Sequence, residues 1–352
     1  MGRRGRKPKE VNDSDSSKET EQITIKKRGR RSKKQPTVSD IISLDKDILL
    51  NSDIDPDDVI NEISTIRLEP FFKKSAKLNP KPSDCTHIFK LETTQITVIK
   101  PLFEALKDML AEANIQCDSE GLRSIAANKK KGIVVFLQLF GSKFEDYACY
   151  KKNLPLGINL DALHKIVKPI NNTTTLTLMV EQDSPEHLQV IVNNSEEGKR
   201  KKSTIKLLDL NIPQPNLGQN NRFDMVIYMS AVKFQKTCRE IIGSNNDKVS
   251  IMAYNRTLTL SCDCEDSEDT IEAQEITLVE TPEYLQFVAD SGNIVQGEYS
   301  LKDILSFTKC NGVSGGGIMK IYMHNDLPLV IEYNVGGLGY MKLVIDPLRT
   351  NS

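Results

Sequence analysis

Tryptophan is absent from this 352-residue chain, histidine occurs four times, and the seven cysteines (85, 117, 149, 238, 262, 264 and 310) never form a CxxC pair. Scattered cysteines with the histidines set apart from them exclude a zinc ribbon or finger and fit a reducing compartment better than a disulfide framework. Cys262-Asp-Cys264 reads as alternate residues at a strand end, before an acidic loop. No apolar run approaches the roughly 18 residues of a membrane span, and the basic N-terminus lacks the apolar core of a signal peptide. A soluble, intracellular protein with no membrane partner is expected. A Walker phosphate loop, a nucleophile motif and a metal-ligand cluster are also missing. The chain is therefore read as a non-enzyme with no catalytic residue, metal or cofactor.

What is present is a repeat. Leu160-Asp-Ala-Leu-His-Lys-Ile-Val-Lys168 and Leu301-Lys-Asp-Ile-Leu-Ser-Phe-Thr-Lys309 each read as a short amphipathic helix ending in lysine. Two β-like runs follow each: 175–181 with 188–193, and 319–324 with 329–334. A spacing of about 140 residues is a duplicated domain, since solenoid units repeat every 20 to 50. Two further helices are expected, over 96–113 and 231–243. In the first, Val98, Leu102, Leu106, Met109 and Ala113 form an apolar stripe. In the second, Phe234, Cys238 and Ile241 face inward and Lys233, Lys236 and Arg239 outward. Strands are read at 134–139, 204–210, 248–253, 275–280 and 284–289, with two sheets per half. Helices laid on antiparallel sheets make an α+β fold of two similar domains.

Charge is segregated. Residues 1–39 hold 13 Lys/Arg against 5 Asp/Glu, and the remainder holds 34 against 43, so the formal net charge of −1 hides a basic tail on an acidic body. Such a body binds nucleic acid only if its cations gather on one surface. All four helices display lysine or arginine, which supplies that surface. The tail (1–39) is too polar to fold alone. Its two clusters, around Arg4 and Arg6 and around Arg28 and Arg30, resemble AT-hooks without the proline after the second arginine. They also suit nuclear import or plain phosphate binding. Residues 40–87 read as an acidic linker, 88–203 and 222–348 as the two folded domains, 204–221 as a boundary strand with a connector, and 349–352 as a short tail.

Phe103-Glu-Ala-Leu-Lys-Asp-Met-Leu-Ala-Glu-Ala113, Leu156-Gly-Ile-Asn-Leu160, Ile205-Lys-Leu-Leu-Asp-Leu210 and Leu327-Pro-Leu-Val-Ile-Glu-Tyr333 resemble the corresponding segments of PCNA, the eukaryotic and archaeal sliding clamp. The likeness runs in order from Ile88 to about Pro347; the basic tail lies outside it and suits a large DNA virus or a divergent eukaryote. It implies the DNA-clamp fold, with a homotrimeric ring around double-stranded DNA, an ATP-dependent loader, and DNA polymerase among its clients. Placed on the family's DNA-facing positions, the basic residues are Lys100, Lys107, Lys165, Lys168, Lys236, Arg239, Lys302 and Lys309, and periodicity adds Lys233. The client pocket, which accepts short aromatic motifs under the connector, falls at Ile125, Leu217, Pro328 and Val344. Tyr254 stands where many eukaryotic clamps carry a ubiquitin-accepting lysine.

The linker itself contains Thr65-x-x-Leu68-x-x-Phe71-Phe72, similar to a client motif with threonine for glutamine, within residues 64–74. It is read as a tethered pseudo-client of the same pocket. The function implied is a polymerase processivity factor, acting in a nucleus or in a cytoplasmic viral factory. Other readings are a late-transcription tether, a checkpoint clamp subunit, and an AT-hook-like chromatin factor acting through the tail.

Overall fold

In this computed structural model the described residues are 37–39, 41–43, 65–66, 85–128, 132–210, 221–241, 247–263, 273–315 and 317–348, with residues 65, 66 and 221 described by their backbone alone. Arg4, Arg6, Arg28, Arg30, Leu68, Phe71, Phe72 and Leu217 lie outside them.

A two-residue strand, β1 (Thr65–Ile66), precedes the body. The first half then runs β2 (His87–Thr93), α1 (Ile96–Met109), β3 (Glu112–Cys117), β4 (Gly121–Asn128), β5 (Ile133–Phe140), β6 (Asp146–Cys149), β7 (Leu154–Asn159), α2 (Leu160–Val167), β8 (Thr175–Glu181), β9 (His187–Asn194) and β10 (Lys199–Lys206). After β11 (Asn221–Arg222) the second half repeats the order: β12 (Met225–Ser230), α3 (Ala231–Glu240), β13 (Lys248–Tyr254), β14 (Thr257–Asp263), β15 (Ala273–Val279), β16 (Leu285–Asp290), β17 (Val295–Ser300), α4 (Leu301–Thr308), β18 (Ile318–Met323), β19 (Leu329–Asn334) and β20 (Gly339–Ile345). The duplication read from the two lysine-ended helices is thus a repeat of every element between β2 and β10.

The sheets expose the same symmetry and one departure from expectation. Instead of two separate sheets per half, there are a five-stranded sheet (β10-β9-β8-β2-β6), a four-stranded sheet (β15-β14-β13-β17) and a nine-stranded sheet shared by both halves (β16-β12-β18-β19-β20-β5-β4-β3-β7). The nine-stranded sheet is the second half's five strands joined to the first half's four. The seam is the antiparallel pair β20–β5, from Gly339↔Leu139 to Ile345↔Ile133. Backbone amides left at a sheet edge need partners, and here each half satisfies the other.

Helices α2, α3 and α4 begin on side-chain caps: Asn159 accepts from the Ala162 amide, Ser230 from Lys233 and Ser300 from Asp303. Each cap satisfies one of the amides that a helix start leaves open. Helix α1 stops at Met109, four residues before the expected end, because Leu110 turns extended and the chain enters β3. Ala113 is buried as expected, but as a strand residue. Helix α3 ends at Glu240. The boundary strand also differs: β10 spans Lys199–Lys206, and beyond it Leu208 makes only a single bridge to Gly157. A Cβ at position 157 would lie 2.0 Å from the Leu208 carbonyl oxygen, so glycine permits that approach.

The main core lies between helices and sheets. Along β12, Met225, Ile227 and Met229 join it, while Val226 and Tyr228 join a second apolar cluster on the opposite face, as period-two alternation requires. That second cluster also contains Val38 and Ile42, so the expected end of the basic tail and start of the linker have structure at 37–39 and 41–43.

Candidate DNA-facing layer and client face

Helix α1 packs on α2, α3 packs on α4, and α1 also meets α4 and the 3-10 turn (Lys309–Gly312) that follows it. The helices of both halves therefore make one layer, in the order α2-α1-α4-α3. Each turns its apolar stripe to the sheets; in α3, Phe234 and Cys238 are buried, as is Ile241 at its C-terminal cap.

The nine expected DNA-facing residues all lie on this layer, in different local settings. Lys165, Lys168, Lys236, Arg239, Lys302 and Lys309 are exposed, whereas Lys100, Lys107 and Lys233 are half-buried. Lys100 Nζ donates to the Ile170 carbonyl at 2.8 Å, so its ammonium ties α1 to the end of α2. Lys309 Nζ lies 2.8 Å from Asp108 Oδ2 and Lys107 Nζ 3.2 Å from Asp108 Oδ1, a three-residue bridge between the halves. Burial pushes the Asp108 carboxyl up, but hydrogen bonds from Lys309 and Lys107 outweigh it and hold the group below the usual range. Lys236 pairs with Glu240 at 3.6 Å, and Lys233 Nζ sits 5.4 Å from the centre of the Tyr284 ring. Among the described residues, Lys165, Lys168, Arg239 and Lys302 have no such side-chain partner.

On the other side of the nine-stranded sheet, the second apolar cluster joins Phe136, Val226, Tyr228, Tyr322, Val330 and Val344 with Phe223, which follows β11. Of the expected pocket residues, Val344 is 2 % exposed within this cluster and Ile125 packs against it half-buried. Pro328 is half-buried just before β19, next to Leu327 of the same cluster. Leu217 falls in the connector outside the described residues. The structure thus brings two of the four pocket positions, Ile125 and Val344, into one cluster opposite the helices, and Pro328 is next to Leu327 of that cluster in the chain. Thr65 belongs to β1, which pairs antiparallel with the connector's end: Thr65↔Arg222 and Ile66↔Asn221.

Sequence reasoning missed Val38, Ile42, Phe223, Tyr228 and Tyr322. Two signals pointed to them. Val38, Ile41 and Ile42 stand at helical spacing, and Met225–Met229 is apolar at every position, the mark of a strand covered on both faces.

Among the described residues no group of three or more His, Cys, Asp or Glu comes together to hold a metal ion. Cys262 is buried near the end of β14, where its thiol donates to the Lys248 carbonyl at 3.0 Å; Cys264 lies outside the described residues. No helix among the described residues is long and apolar enough to cross a membrane.

The comparisons with known proteins agree with this architecture. The family described as "Proliferating cell nuclear antigen, N-terminal domain" matches residues 88–215, and its C-terminal counterpart matches 218–348. Similar proteins include a "Probable DNA polymerase sliding clamp 1" of Paramecium bursaria Chlorella virus 1, 27% identical over 74% of this chain and 97% of its own. The proliferating cell nuclear antigen of Chaetomium thermophilum is 27% identical over 72% of this chain and 95% of its own, and that of Dictyostelium discoideum 26% over 74% and 99%. The crystal structure of the Entamoeba histolytica protein superposes with a TM-score of 0.66 at 22% identity, covering 75% of this chain and all of that one, which supports the fold. With both domain profiles matched in order across the folded body, the chain belongs to the proliferating cell nuclear antigen family of DNA sliding clamps.

Proposed function

We propose that three copies of this chain close into a ring on duplex DNA, with the helical layer lining the bore and the second apolar face receiving clients. As a sliding clamp the chain is a DNA polymerase processivity factor. The observation that carries the ring is internal. Strand β20 is the repeat equivalent of β10, and β5 of β15, and β20 pairs with β5 inside the chain. Among the described residues the outer edges of β10 and β15 carry no such partner. The same joint made between neighbours uses both open edges, which otherwise invite uncontrolled pairing.

Inside the ring, Lys100, Lys107, Lys165, Lys168, Lys233, Lys236, Arg239, Lys302 and Lys309 supply a positive lining. Lysines that meet phosphates read no base edges, so the ring is held by topology and free to slide. No bond is made or broken by the clamp, which acts as a scaffold. Opening it falls to an ATP-dependent loader. Ile125, Leu217, Pro328 and Val344 form the pocket for clients with short aromatic motifs, DNA polymerase among them. The tail arginines Arg4, Arg6, Arg28 and Arg30 add sequence-independent attraction for DNA or an import signal, which fits a nucleus or a viral replication site.

Polymerase extension on a primed circular template tests this reading. Reversing Lys168, Arg239 and Lys302 to glutamate should abolish the clamp-dependent gain in product length, while residues 85–352 alone should retain it. Full stimulation by the triple variant would remove the lining. Loss of all DNA association on deleting 1–84 would favour a tail-driven chromatin factor.

A further inference from the structure

Beyond the matched family region, which begins at residue 88, the chain carries an arm that touches the client face at two described places. We propose that this arm, seated through Val38 and Ile42 and through the Thr65–Ile66 strand, competes in cis with client peptides for the outer face of the nine-stranded sheet. The competition rests on the reading of Ile125 and Val344 as pocket residues.

The first anchor is helical at residues 38–39 and 41–43. Val38 is 0 % exposed and Ile42 9 %, one turn apart on the same side, and both side chains are buried in the apolar cluster on the sheet's outer face. Polar contacts fix the segment's position. The Ser39 amide and hydroxyl both donate to the Pro282 carbonyl, at 3.4 and 3.2 Å, and Gln286 Nε2 donates to Ser39 Oγ at 2.9 Å. Hydrogen bonding and burial therefore agree on one seat, beside the start of β16 and against the cluster that holds Val226 and Tyr228 of β12. A stray apolar contact would not satisfy the serine.

The second anchor is β1 on β11. It occupies a backbone edge at the very end of the connector, where an incoming extended peptide would otherwise add a strand. Phe223 follows immediately, 2 % exposed, its ring centre 5.7 Å from that of Tyr322. Tyr322 in turn belongs to the cluster that holds both Val38 and Val344. One continuous apolar surface thus runs from the arm to the client pocket, and β1 opens the sequence Thr65-x-x-Leu68-x-x-Phe71-Phe72 that resembles a client motif. Covalent tethering keeps such a weak occupant at an effective concentration of about 1 mM, enough to suppress weak clients and yield to strong ones.

The test uses the full chain and a fluorescent peptide carrying Gln-x-x-Leu-x-x-Phe-Phe. Deleting residues 1–84, or making the double change Val38→Asp with Ile42→Asp, should tighten peptide binding by about tenfold. A second variant, Ser39→Cys with Pro282→Cys, should form a disulfide within one chain, weaken the peptide, and recover on reduction. Unchanged or weaker binding by the two released forms, with wild-type melting and elution, overturns the competition. Disulfide-linked oligomers in place of an internal bridge overturn its cis geometry. Absence of peptide binding in every form would instead remove the client pocket on which it rests.

Discussion

At the scale of single residues, the nine cations of the helical layer are not interchangeable. Lys100 is spent on the Ile170 carbonyl within the first half, and Lys107 and Lys309 on Asp108, of which only the Lys309 pair crosses between the halves. These three ammonium groups are therefore engaged in holding the helical layer together. The free charge is concentrated on Lys165, Lys168, Arg239 and Lys302. The family resemblance, with helical periodicity for Lys233, points to these nine positions, but neither sees where a carbonyl or carboxylate from another element will fall. The same applies to the pair Arg256–Glu280. Arg256 lies in the two-residue turn between β13 and β14, at φ 56, and its Nη2 reaches Glu280 Oε1 at 2.7 Å. Glu280 also accepts the Phe287 amide at 2.9 Å. The Arg256 hydrogen bond, with the Phe287 amide, holds the Glu280 carboxyl below its usual value against the opposing effect of burial. A depressed folded value contributes stability above the unfolded pKa of about 4.3 and loses it as pH falls through the folded one. Glu280→Gln should therefore lower stability by about 1 kcal/mol at pH 7, given the exposure of Arg256. The difference should shrink below about pH 4. Melting temperatures of both proteins across pH 7 to 3 check it; a pH-independent gap would show that the carboxylate charge is not what matters.

At the scale of elements, the seam between β20 and β5 decides whether the two halves are one body. Its first pair is Gly339↔Leu139, and a Cβ on residue 339 would lie 2.0 Å from the Gln138 carbonyl oxygen. Gly339→Val should force the strands apart there and cost about 3 kcal/mol or more, by the large-effect mechanisms of backbone clash and core disruption. Denaturation should then show the halves unfolding separately; a single transition at the wild-type midpoint would acquit the glycine. This seam was only partly legible in the sequence. Strands 175–181 and 329–334 have the expected bounds, because alternation is a local property of a strand. Which strand pairs with which is not local, so two sheets per half was the natural reading and fusion at β20–β5 went unseen. The end of α1 was misplaced for a related reason: Ala113 continues the helical spacing but lies in β3. Likewise Val38 and Ile42 are only two aliphatic residues at a one-turn spacing until Tyr228 and Tyr322 supply the surface they bury against.

At the scale of the whole molecule, the repeat turns an internal contact into a rule for assembly. In the chain, the start of β20 lies opposite the end of β5. In the proposed ring, equivalence sets the start of β10 opposite the end of a neighbour's β15. The start of β10 is Lys199, Arg200, Lys201 and Lys202, all exposed, and β15 ends at Val279, which is 60 % exposed despite being aliphatic. An exposed valine beside a row of cations suits a joint in which apolar area is buried and the cations meet the neighbour's acidic residues. Val279→Lys should place a fifth positive charge in that row. The expected outcome is a shift from trimer to monomer in sedimentation or light scattering, with the chain's own melting temperature nearly unchanged because the residue is solvated there. Added salt should partly restore the trimer, since a Debye length of about 8 Å at physiological ionic strength falls to about 3 Å at 1 M. An unaltered trimer at low salt would mean that the ring closes through some other edge.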